Sequence, residues 1–371
     1  MPPRSPRIRR IAINTGGGDA PGLNAVIRAV TLCAHNQGWE CVGIREGYDG
    51  LLRPERYPKG GLIPLTPDRV RGITHLGGTI LGTTNVGNPL KFPVTLKDGS
   101  IVEKDRSGEL VKAFRRSRID ALVCVGGDGS LAIASVLAKK GLRVVGVPKT
   151  IDNDLHRTAV TFGFDTAVSF ATECIDRLHS TAESHRRLMI VEVMGRYAGW
   201  IALNSGVSGG ADAILIPEIP YDIKSVAAKV QERTASGRHF AIVVVAEGAR
   251  PRHGSFAVIE RRKGAADRLG GAGQKVAREL EAVTGKEARF VVLGHLLRGG
   301  SPTTFDRLLS LRFGAAAVRA LAQGRSGVMV ASDPPDVRFV PLVQAIRRLK
   351  TVPLACDTVA TARELGICLG D

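Results

Sequence analysis

One local pattern recurs along this 371-residue chain: an apolar run rich in β-branched residues, then glycines, then a stretch with helical periodicity. Residues 11–14 form the first run, residues 15–22 the loop after it, and apolar residues recur at helical spacing from Leu23 to Val30. Apolar strands that alternate with helices indicate doubly wound α/β domains with mainly parallel sheets. At ~150 residues per domain, we expect two. Further apolar runs occupy residues 121–125, 143–147, 188–193, 213–216, 240–246 and 290–293.

The second glycine cluster, residues 126–129, reads Gly-Gly-Asp-Gly and directly follows an apolar run. Ser130 is a favourable N-cap residue, so we expect it to begin a helix over residues 131–140. Ligands of parallel sheets bind at the carboxyl ends of strands, where both glycine clusters lie. Glycine lets backbone N–H groups approach an anion closely, and a helix N-terminus adds positive potential. Both loops are therefore candidates for binding phosphate.

Each glycine loop also carries an aspartate, Asp19 in the first and Asp128 in the second. A carboxylate among phosphate-binding amides would repel the ligand unless a cation lay between them. Asp128 is therefore a candidate Mg²⁺ ligand, and a helix-capping aspartate is the alternative interpretation.

The segment 148–154 directly follows another apolar run and carries two carboxylates, Asp152 and Asp154, with Thr150 shortly before them. One carboxylate at such a place could take the proton from a hydroxyl nucleophile while the other helps to hold the site. An Asx-type turn, which Asp and Asn favour, is the alternative.

A set of separated basic residues lies near the later apolar runs: Arg187, Arg196, Arg289, His295 and Arg298. Arginine makes bidentate contacts to phosphate, and a sugar phosphate needs several such contacts. Ordinary surface arginines are the alternative, although the glycine-rich turns around residues 294–302 favour a site.

The net charge is 52 − 35 = +17, which favours an anionic partner such as nucleic acid, a membrane surface or a phosphorylated metabolite. No long basic block is present and aromatic residues are only 5%, so a nucleic-acid groove with stacking aromatics is poorly supported. A basic, solvated surface is the alternative that charge alone leaves open.

Composition excludes several classes of protein. The 44 glycines form no regular repeat, which excludes collagen-like and low-complexity chains. The longest apolar runs fall short of the ~20 residues that a membrane-spanning helix needs, and the basic start at residues 4–10 precedes too short an apolar stretch for a signal peptide. The six cysteines form no CxxC pair, which indicates free thiols. We expect a cytoplasmic protein that binds neither membranes nor nucleic acid.

Taken together, these segments resemble the 6-phosphofructokinases of the ATP/pyrophosphate superfamily. The matching segments occur in family order: GGDAPGLN at 17–24, GGTILG at 77–82, GGDGS at 126–130, KTIDND at 149–154, GFDTA at 163–167, VEVMGR at 191–196, AEG at 246–248, and GH with RGGSP within 294–302.

The resemblance implies transfer of the terminal phosphoryl group of ATP to O1 of fructose 6-phosphate, giving fructose 1,6-bisphosphate in glycolysis, with Mg²⁺ as the cofactor. Asp152 matches the catalytic base, and Thr150 and Arg196 match groups that hold the transferring phosphoryl group. The metal-linked carboxylates are Asp128 and Asp154. The donor-binding set comprises Gly18, Asn85, Gly127, Asp128, Gly129, Ser130 and Lys149. The set for fructose 6-phosphate comprises Thr150, Asp152, Arg187, Met194, Gly195, Arg196, Glu247, Arg289, His295 and Arg298.

The resemblance also implies a domain plan and an assembly. The donor domain would comprise residues 1–163 and 297–348, and the fructose-6-phosphate domain residues 164–296 and 349–371, with the active site in the cleft between them. In the family, the counterparts of Arg187 and Arg289 reach in from a neighbouring subunit. The expected assembly is therefore a homotetramer or homodimer with shared sites.

Two positions point to different phosphoryl donors. Pyrophosphate-dependent enzymes of this superfamily carry aspartate where Gly129 stands, and a side chain there crowds the α-phosphate of a nucleotide, so Gly129 favours ATP. Lys149 is typical of the pyrophosphate branch and of a mixed subgroup that uses ATP. Asn85 replaces an arginine of bacterial ATP enzymes, and we hypothesise that Lys149 supplies the missing charge. Ile133 replaces a glycine near the nucleoside.

Three readings remain beside the ATP-dependent enzyme. A reversible, pyrophosphate-dependent fructose-6-phosphate 1-phosphotransferase is the first alternative. NAD and lipid kinases share the Gly-Gly-Asp-Gly loop but lack the segments around Arg196 and Ser301. A non-enzymatic polyanion-binding protein rests on the charge of +17 alone.

Overall fold

A computed structural model describes residues 8–85, 87–96, 98–254, 258–260 and 268–371. Its strands are β1 (Arg10–Thr15), β2 (Glu40–Ile44), β3 (Leu62–Leu65), β4 (Phe92–Thr95), β5 (Ile101–Lys104), β6 (Ala121–Gly126), β7 (Arg143–Pro148), β8 (Leu188–Val193), β9 (Ala213–Leu215), β10 (Ala241–Ala246), β11 (Val258–Glu260), β12 (Arg268–Leu269), β13 (Ala288–Val292), β14 (Val328–Asp333) and β15 (Asp336–Pro341).

The α-helices are α1 (Leu23–Asn36), α2 (Asp49–Leu52), α3 (Ser107–Arg116), α4 (Asp128–Lys139), α5 (Phe164–His185), α6 (Trp200–Ser208), α7 (Ile223–Ala235), α8 (Ala272–Thr284), α9 (Thr304–Ala322), α10 (Leu342–Ala345) and α11 (Asp357–Glu364). Two short 3₁₀ helices span Pro54–Arg56 and Gly294–Arg298.

The chain divides into two compact units, each built from three segments. The first comprises Met1–Thr150, Leu155–Gly163 and Arg298–Arg348, and the second Ile151–Asp154, Phe164–Leu297 and Leu349–Asp371. The sequence placed residues 151–154 and Leu297 with the first unit, whereas the structure groups both with the second. Residues 151–154 are bonded to the last segment of the second unit, since the backbone N–H of Lys350 donates to the carbonyl oxygen of Asp154 at 2.7 Å.

The first unit is organised around a seven-stranded sheet with the order β15-β14-β7-β6-β1-β2-β3. Strands β14, β7, β6, β1 and β2 run parallel to one another, and the two edge strands, β15 and β3, run antiparallel to β14 and β2. The register places Ile13 opposite Val123 of β6 and Gly43 of β2. This sheet confirms the predicted α/β fold with a mainly parallel sheet.

Helices cover both faces of this sheet. Successive side chains of a strand point to opposite faces, so Ile13 of β1 packs in one core with α1 and α9, and Ala12 packs in the other with α3, α4 and α10. Helices α1 and α9 approach closely at Gly314, where a Cβ atom would lie 2.7 Å from the Cβ of Ala29. The sheet ends that carry the glycine loops are thereby held by packing on both sides.

The second unit contains a four-stranded, fully parallel sheet with the order β13-β8-β10-β9. Helices α7 and α8 pack on one face, where Val226 and Leu280 join the core of strand residues. Helix α6 packs on the other face, since Gly206 lies against Ile214 and Val244. Smaller antiparallel pairs, β4–β5 in the first unit and β11–β12 in the second, lie outside the two main sheets.

Candidate active site

The two glycine loops of the first unit lie side by side because β1 and β6 are neighbouring parallel strands. The N–H of Gly16 donates to the carbonyl oxygen of Val125 at 2.9 Å. A Cβ atom on Gly126 would lie 2.3 Å from the Cβ of Ser130, and one on Gly16 would lie 2.6 Å from its Oγ. Glycine at position 16 therefore allows the two loops to approach each other, and glycine at position 126 leaves room for the Ser130 side chain.

Helix α4 begins at Asp128, just after β6 ends at Gly126, with Gly127 as its N-cap. The expectation that Ser130 caps the helix is therefore wrong, and Ser130 lies in the first turn with its side chain between Gly16 and Gly126. The first N–H groups of a helix have no acceptor within the helix. Those of Asp128, Gly129 and Ser130 consequently provide a positive end beside the glycine loops.

A cavity of about 180 Å³ opens at this end of the sheet. Three residues of the predicted donor site line it, namely Asn85, Gly129 and Ser130. A Cβ atom on Gly129 would have no neighbour within 4 Å, so this position faces open space. Sequence reasoning missed other lining residues that belong to no motif, among them Gly47, Tyr48 and Pro89. The complete lining is Gly16, Gly17, Gly47, Tyr48, Thr84, Asn85, Gly87, Asn88, Pro89, Gly129, Ser130 and Ile133.

Lys149 places a cation beneath the first glycine loop. It follows β7, is only 3% exposed, and its ammonium donates a hydrogen bond to the carbonyl oxygen of Gly18. Its backbone N–H donates to Gly126 at 3.0 Å, and its Nζ lies 3.5 Å from the position of a Cβ on Gly17. The structure thus brings Gly18, Lys149 and the start of α4 together.

Arg298 also lies in the first unit, against the first glycine loop. Its Nη1 donates to the carbonyl oxygen of Asp19 at 3.1 Å. A Cβ atom on Gly18 would lie 2.7 Å from this Nη1. Thr150, the last residue before the chain enters the second unit, accepts a hydrogen bond at its carbonyl oxygen from Thr161 Oγ1 at 2.7 Å.

In the second unit, the segment that carries Asp152 and Asp154 makes a sharp turn. Asn153, between them, is 5% exposed and has a left-handed backbone with φ of 50°. The ammonium of Lys350 donates to Asn153 Oδ1 at 2.8 Å. Burial lowers the pKa of Lys350 to about 8, while the Asp154 carboxylate acts in the opposite direction. Lys350 belongs to no sequence motif, and sequence reasoning did not identify it.

Arg187 directly precedes β8, Arg289 lies on the neighbouring strand β13, and the two arginines share one carboxylate. Arg187 Nε donates to Glu287 Oε2 at 2.5 Å, and Arg289 donates to the other oxygen of the same group. The hydrogen bond from Arg187 is the main reason that the pKa of Glu287 is lowered. The structure therefore brings together the two arginines that the sequence assigned to the sugar phosphate.

The loops after β8 and β10 meet in the same way as the glycine loops of the first unit. The N–H of Glu247 donates to Val193 at 2.9 Å, and the N–H of Gly248 donates to Gly195 at 3.1 Å. Gly195 has a φ of 141°, a backbone conformation that residues with a side chain rarely adopt. The guanidinium of Arg196 lies 5.1 Å from the centre of the Tyr197 ring. Met194, Gly195, Arg196 and Glu247 are thus clustered, whereas His295 is exposed in the 3₁₀ helix Gly294–Arg298.

Two further findings concern the described residues as a whole. No three His, Cys, Asp or Glu side chains converge there to hold a metal ion. None of the helices described has both the length and the apolar character needed to cross a membrane.

Comparison with known proteins gives consistent results. A family model described as phosphofructokinase matches residues 10–321. An ATP-dependent 6-phosphofructokinase of Chloroflexus aggregans is 53% identical over 363 residues, or 98% of each chain. An ATP-dependent 6-phosphofructokinase 2 of Clostridium perfringens is 48% identical over 368 residues, which cover 98% of this chain and 99% of that one.

Among solved structures, the phosphofructokinase of Pichia pastoris in the T-state superposes with a TM-score of 0.78 and 30% identity. The match covers 99% of this chain but 38% of that longer chain. The family model spans most of the sequence and the bacterial relatives match it over almost their full length, so this chain belongs to the phosphofructokinase family.

Proposed function

We propose that this protein is an ATP-dependent 6-phosphofructokinase, a phosphotransferase that moves the terminal phosphoryl group of ATP to O1 of fructose 6-phosphate. The observation that carries the proposal is the cavity at the carboxyl ends of β1 and β6. Glycine loops and the first turn of α4 line it on one side, and it extends past Gly129 to Ile133 and Pro89. This gives a polyphosphate its amide donors and leaves space beyond them for a nucleoside.

The donor site in this proposal comprises backbone groups and one cation. The phosphate oxygens accept hydrogen bonds from the backbone N–H groups of Gly18, Gly127, Gly129 and Ser130, because a glycine loop before a helix N-terminus favours anions. Lys149 supplies positive charge where Asn85 cannot. Its ammonium already lies against Gly18, which supports the hypothesis that it replaces the arginine absent at position 85.

The chemical step needs little beyond positioning and charge neutralisation. Asp152 accepts the proton of the O1 hydroxyl as O1 forms a bond to the γ-phosphorus. The bond from that phosphorus to the bridging oxygen breaks, and ADP leaves with the electron pair. Thr150 and Arg196 hold the transferring group, and a general base in this role contributes ~10²–10⁴-fold to the rate.

We propose that the metal cofactor is Mg²⁺, which would bind together with the donor phosphates and neutralise their charge. Mg²⁺ usually keeps several waters and takes only one or two carboxylates together with substrate phosphates. Asp128 at the start of α4 and Asp154 after β7 supply such carboxylates. A cage of three or more acidic or imidazole ligands, which the described residues do not contain, is not required.

The sugar phosphate would be bound by Arg187, Arg289, His295 and Arg298, with Met194, Gly195 and Glu247 against the sugar. Arg289 lies on β13, an edge strand of its sheet. Phe290 and Val292 of the same strand are 43% and 49% exposed, which supports a second copy of the chain covering this edge. We propose a homodimer or homotetramer in which these arginines complete the site of a neighbouring subunit.

Lys149 at the glycine loop also favours a second candidate, the reversible pyrophosphate-dependent enzyme, because a lysine there suits a donor that is phosphate alone. Initial rates with fructose 6-phosphate and Mg²⁺, measured in parallel with ATP and with pyrophosphate, decide between them. Turnover with ATP alone supports the proposal and a glycolytic role, for which we propose a cytoplasmic location. Turnover with pyrophosphate alone replaces it with the second candidate, and turnover with neither contradicts both.

A further inference from the structure

A C-terminal segment of the second unit holds the turn that carries the carboxylates. The backbone N–H of Lys350 donates to the carbonyl oxygen of Asp154 at 2.7 Å. The ammonium of the same residue donates to Asn153 Oδ1 at 2.8 Å. One lysine therefore holds two consecutive residues of the segment, once through its backbone and once through its side chain.

Asn153 has an unusual conformation that needs such support. Its φ of 50° is in the left-handed region, which costs energy for any residue with a side chain, although Asn tolerates it better than most. The φ and ψ angles of Asn153 set the relative directions of the chain at Asp152 and Asp154. Any relaxation of Asn153 would therefore move both carboxylates.

Lys350 is itself anchored at the start of α6. Trp200 Nε1 donates to the carbonyl oxygen of Lys350 at 2.9 Å, and the Trp200 ring lies 5.7 Å from the lysine ammonium. Two residues further on, the N–H of Val352 donates to Glu218 Oε1 at 2.8 Å, and the same carboxylate accepts from Gly199. The side chain of Lys350 is thus fixed by its backbone on one side and by Asn153 on the other.

We propose that Lys350 is a positioning residue for the phosphoryl-transfer reaction: its ammonium holds Asn153 in the left-handed conformation that aligns the Asp152 carboxylate with the attacking hydroxyl. This inference rests on the proposed function, and it assigns Lys350 no contact with either substrate.

The first test compares Lys350→Met with Lys229→Met. Lys229 lies on α7 of the same unit, is also largely buried, and donates to Glu232 at 2.9 Å. Misplacement of a catalytic group by about 1 Å can cost ~10²-fold, so kcat should fall by ~10–100-fold in Lys350→Met. The KM values for fructose 6-phosphate and the donor should change by less than about threefold, since ground-state binding is not removed. A large rise in either KM would overturn the inference in favour of a substrate contact, and an unchanged kcat would also overturn it.

The second test is a double-mutant cycle with Asn153→Gly, because glycine accepts the left-handed backbone but offers no amide oxygen. If Lys350 acts through Asn153, Lys350→Met should lower kcat much less in the Asn153→Gly background than in the natural protein. Equal losses in both backgrounds would show that Lys350 acts by another route.

A crystal structure of Lys350→Met provides a readout that does not depend on activity. Loss of the positive φ at Asn153 and a displaced Asp152 carboxylate are the expected result, and an unchanged turn would overturn the inference. If the natural protein transfers no phosphoryl group, the proposed function fails, and this structure still decides whether Lys350 maintains the turn.

Discussion

Lys149 and Gly18 are joined by a hydrogen bond from the lysine ammonium to the glycine carbonyl oxygen, which ties the end of β7 to the loop after β1. Lys149 is buried, so its charge is shielded from solvent. A cation held in this way beneath a loop of amides increases the positive potential that a polyphosphate would meet.

Replacing Lys149 with methionine keeps most of the side-chain volume and removes the charge. We expect donor KM to rise or kcat to fall by at least ~10-fold, since one hydrogen bond to a charged group contributes ~1.5–3 kcal/mol, with little change in the KM for fructose 6-phosphate. The control is Lys139→Met at the exposed end of α4. Unaltered donor kinetics in Lys149→Met would contradict the role assigned to this lysine.

Gly129→Asp tests what selects the donor. A Cβ atom at this position meets nothing within 4 Å, and an aspartate in the first turn of a helix is favourable, so the fold should tolerate the change. The carboxylate would repel a nucleotide, and we expect ATP KM to rise by ~10-fold or more, the effect of about 1.4 kcal/mol.

A matched control is Gly108→Asp, also the second residue of its helix, exposed, and with open space at its Cβ. It should leave the kinetics with ATP unchanged. If Gly129→Asp behaves like this control, the aspartate does not determine the donor.

Asp152→Asn removes the proposed base with almost no change in shape. We expect kcat to fall by ~10²–10⁴-fold, the range for loss of a general base, while the KM for fructose 6-phosphate changes little. Asp176→Asn, at an exposed position of α5, should leave kcat as in the natural protein. Full activity of the Asp152 variant would remove this residue from the mechanism.

Arg289→Ala separates binding of the sugar phosphate from binding of the donor. Arg289 is paired with Glu287 on the surface, and exposed pairs contribute only ~0–1 kcal/mol, so a phosphate can displace the carboxylate at little cost. We expect the KM for fructose 6-phosphate to rise by ~10-fold or more, with donor KM unchanged. Arg177→Ala removes a similar surface pair, with Glu173 at 2.6 Å, and should have no effect on either KM.

The thiols give a test of the first unit's packing. Burial raises the pKa of Cys41 to about 12 and that of Cys124 to about 11. Because the thiolate is the reactive form, neither residue should be alkylated at pH 8 while the protein is folded. Mass spectrometry after a pulse of iodoacetamide should find both modified only after addition of denaturant, and their modification in the folded state would contradict the packing of this core.

The features around the candidate site that can be predicted from the sequence are those that depend only on residues adjacent in the chain. A strand, two glycines and a helix start are all local features, so the amino-acid pattern alone places Gly18, Gly129 and Lys149 at one end of a sheet. The helix boundary was less predictable. Ser130 is of a residue type that favours the N-cap, but the helix begins two residues earlier, at Asp128, with Gly127 as the N-cap.

The residues that were missed act over long separations or lack a distinctive type. Lys350 and its acceptor Asn153 are 197 positions apart, and one lysine between two apolar segments gives no signal of what it contacts. Glu287 stands close to Arg289, yet its pairing with Arg187 depends on β8 and β13 being neighbours, which no local pattern reveals.

The contact of α1 with α9 has a consequence during synthesis on the ribosome. The apolar face of α1 emerges early, but its cover, residues Thr304–Ala322, is translated only after most of the second unit. A nascent chain that stalls before α9 would expose Val26, Val30 and the neighbouring strand residues to solvent, a state prone to aggregation. Each unit also contains residues beyond Ala322. Neither unit can therefore complete its folding until the C-terminal part of the chain has left the exit tunnel.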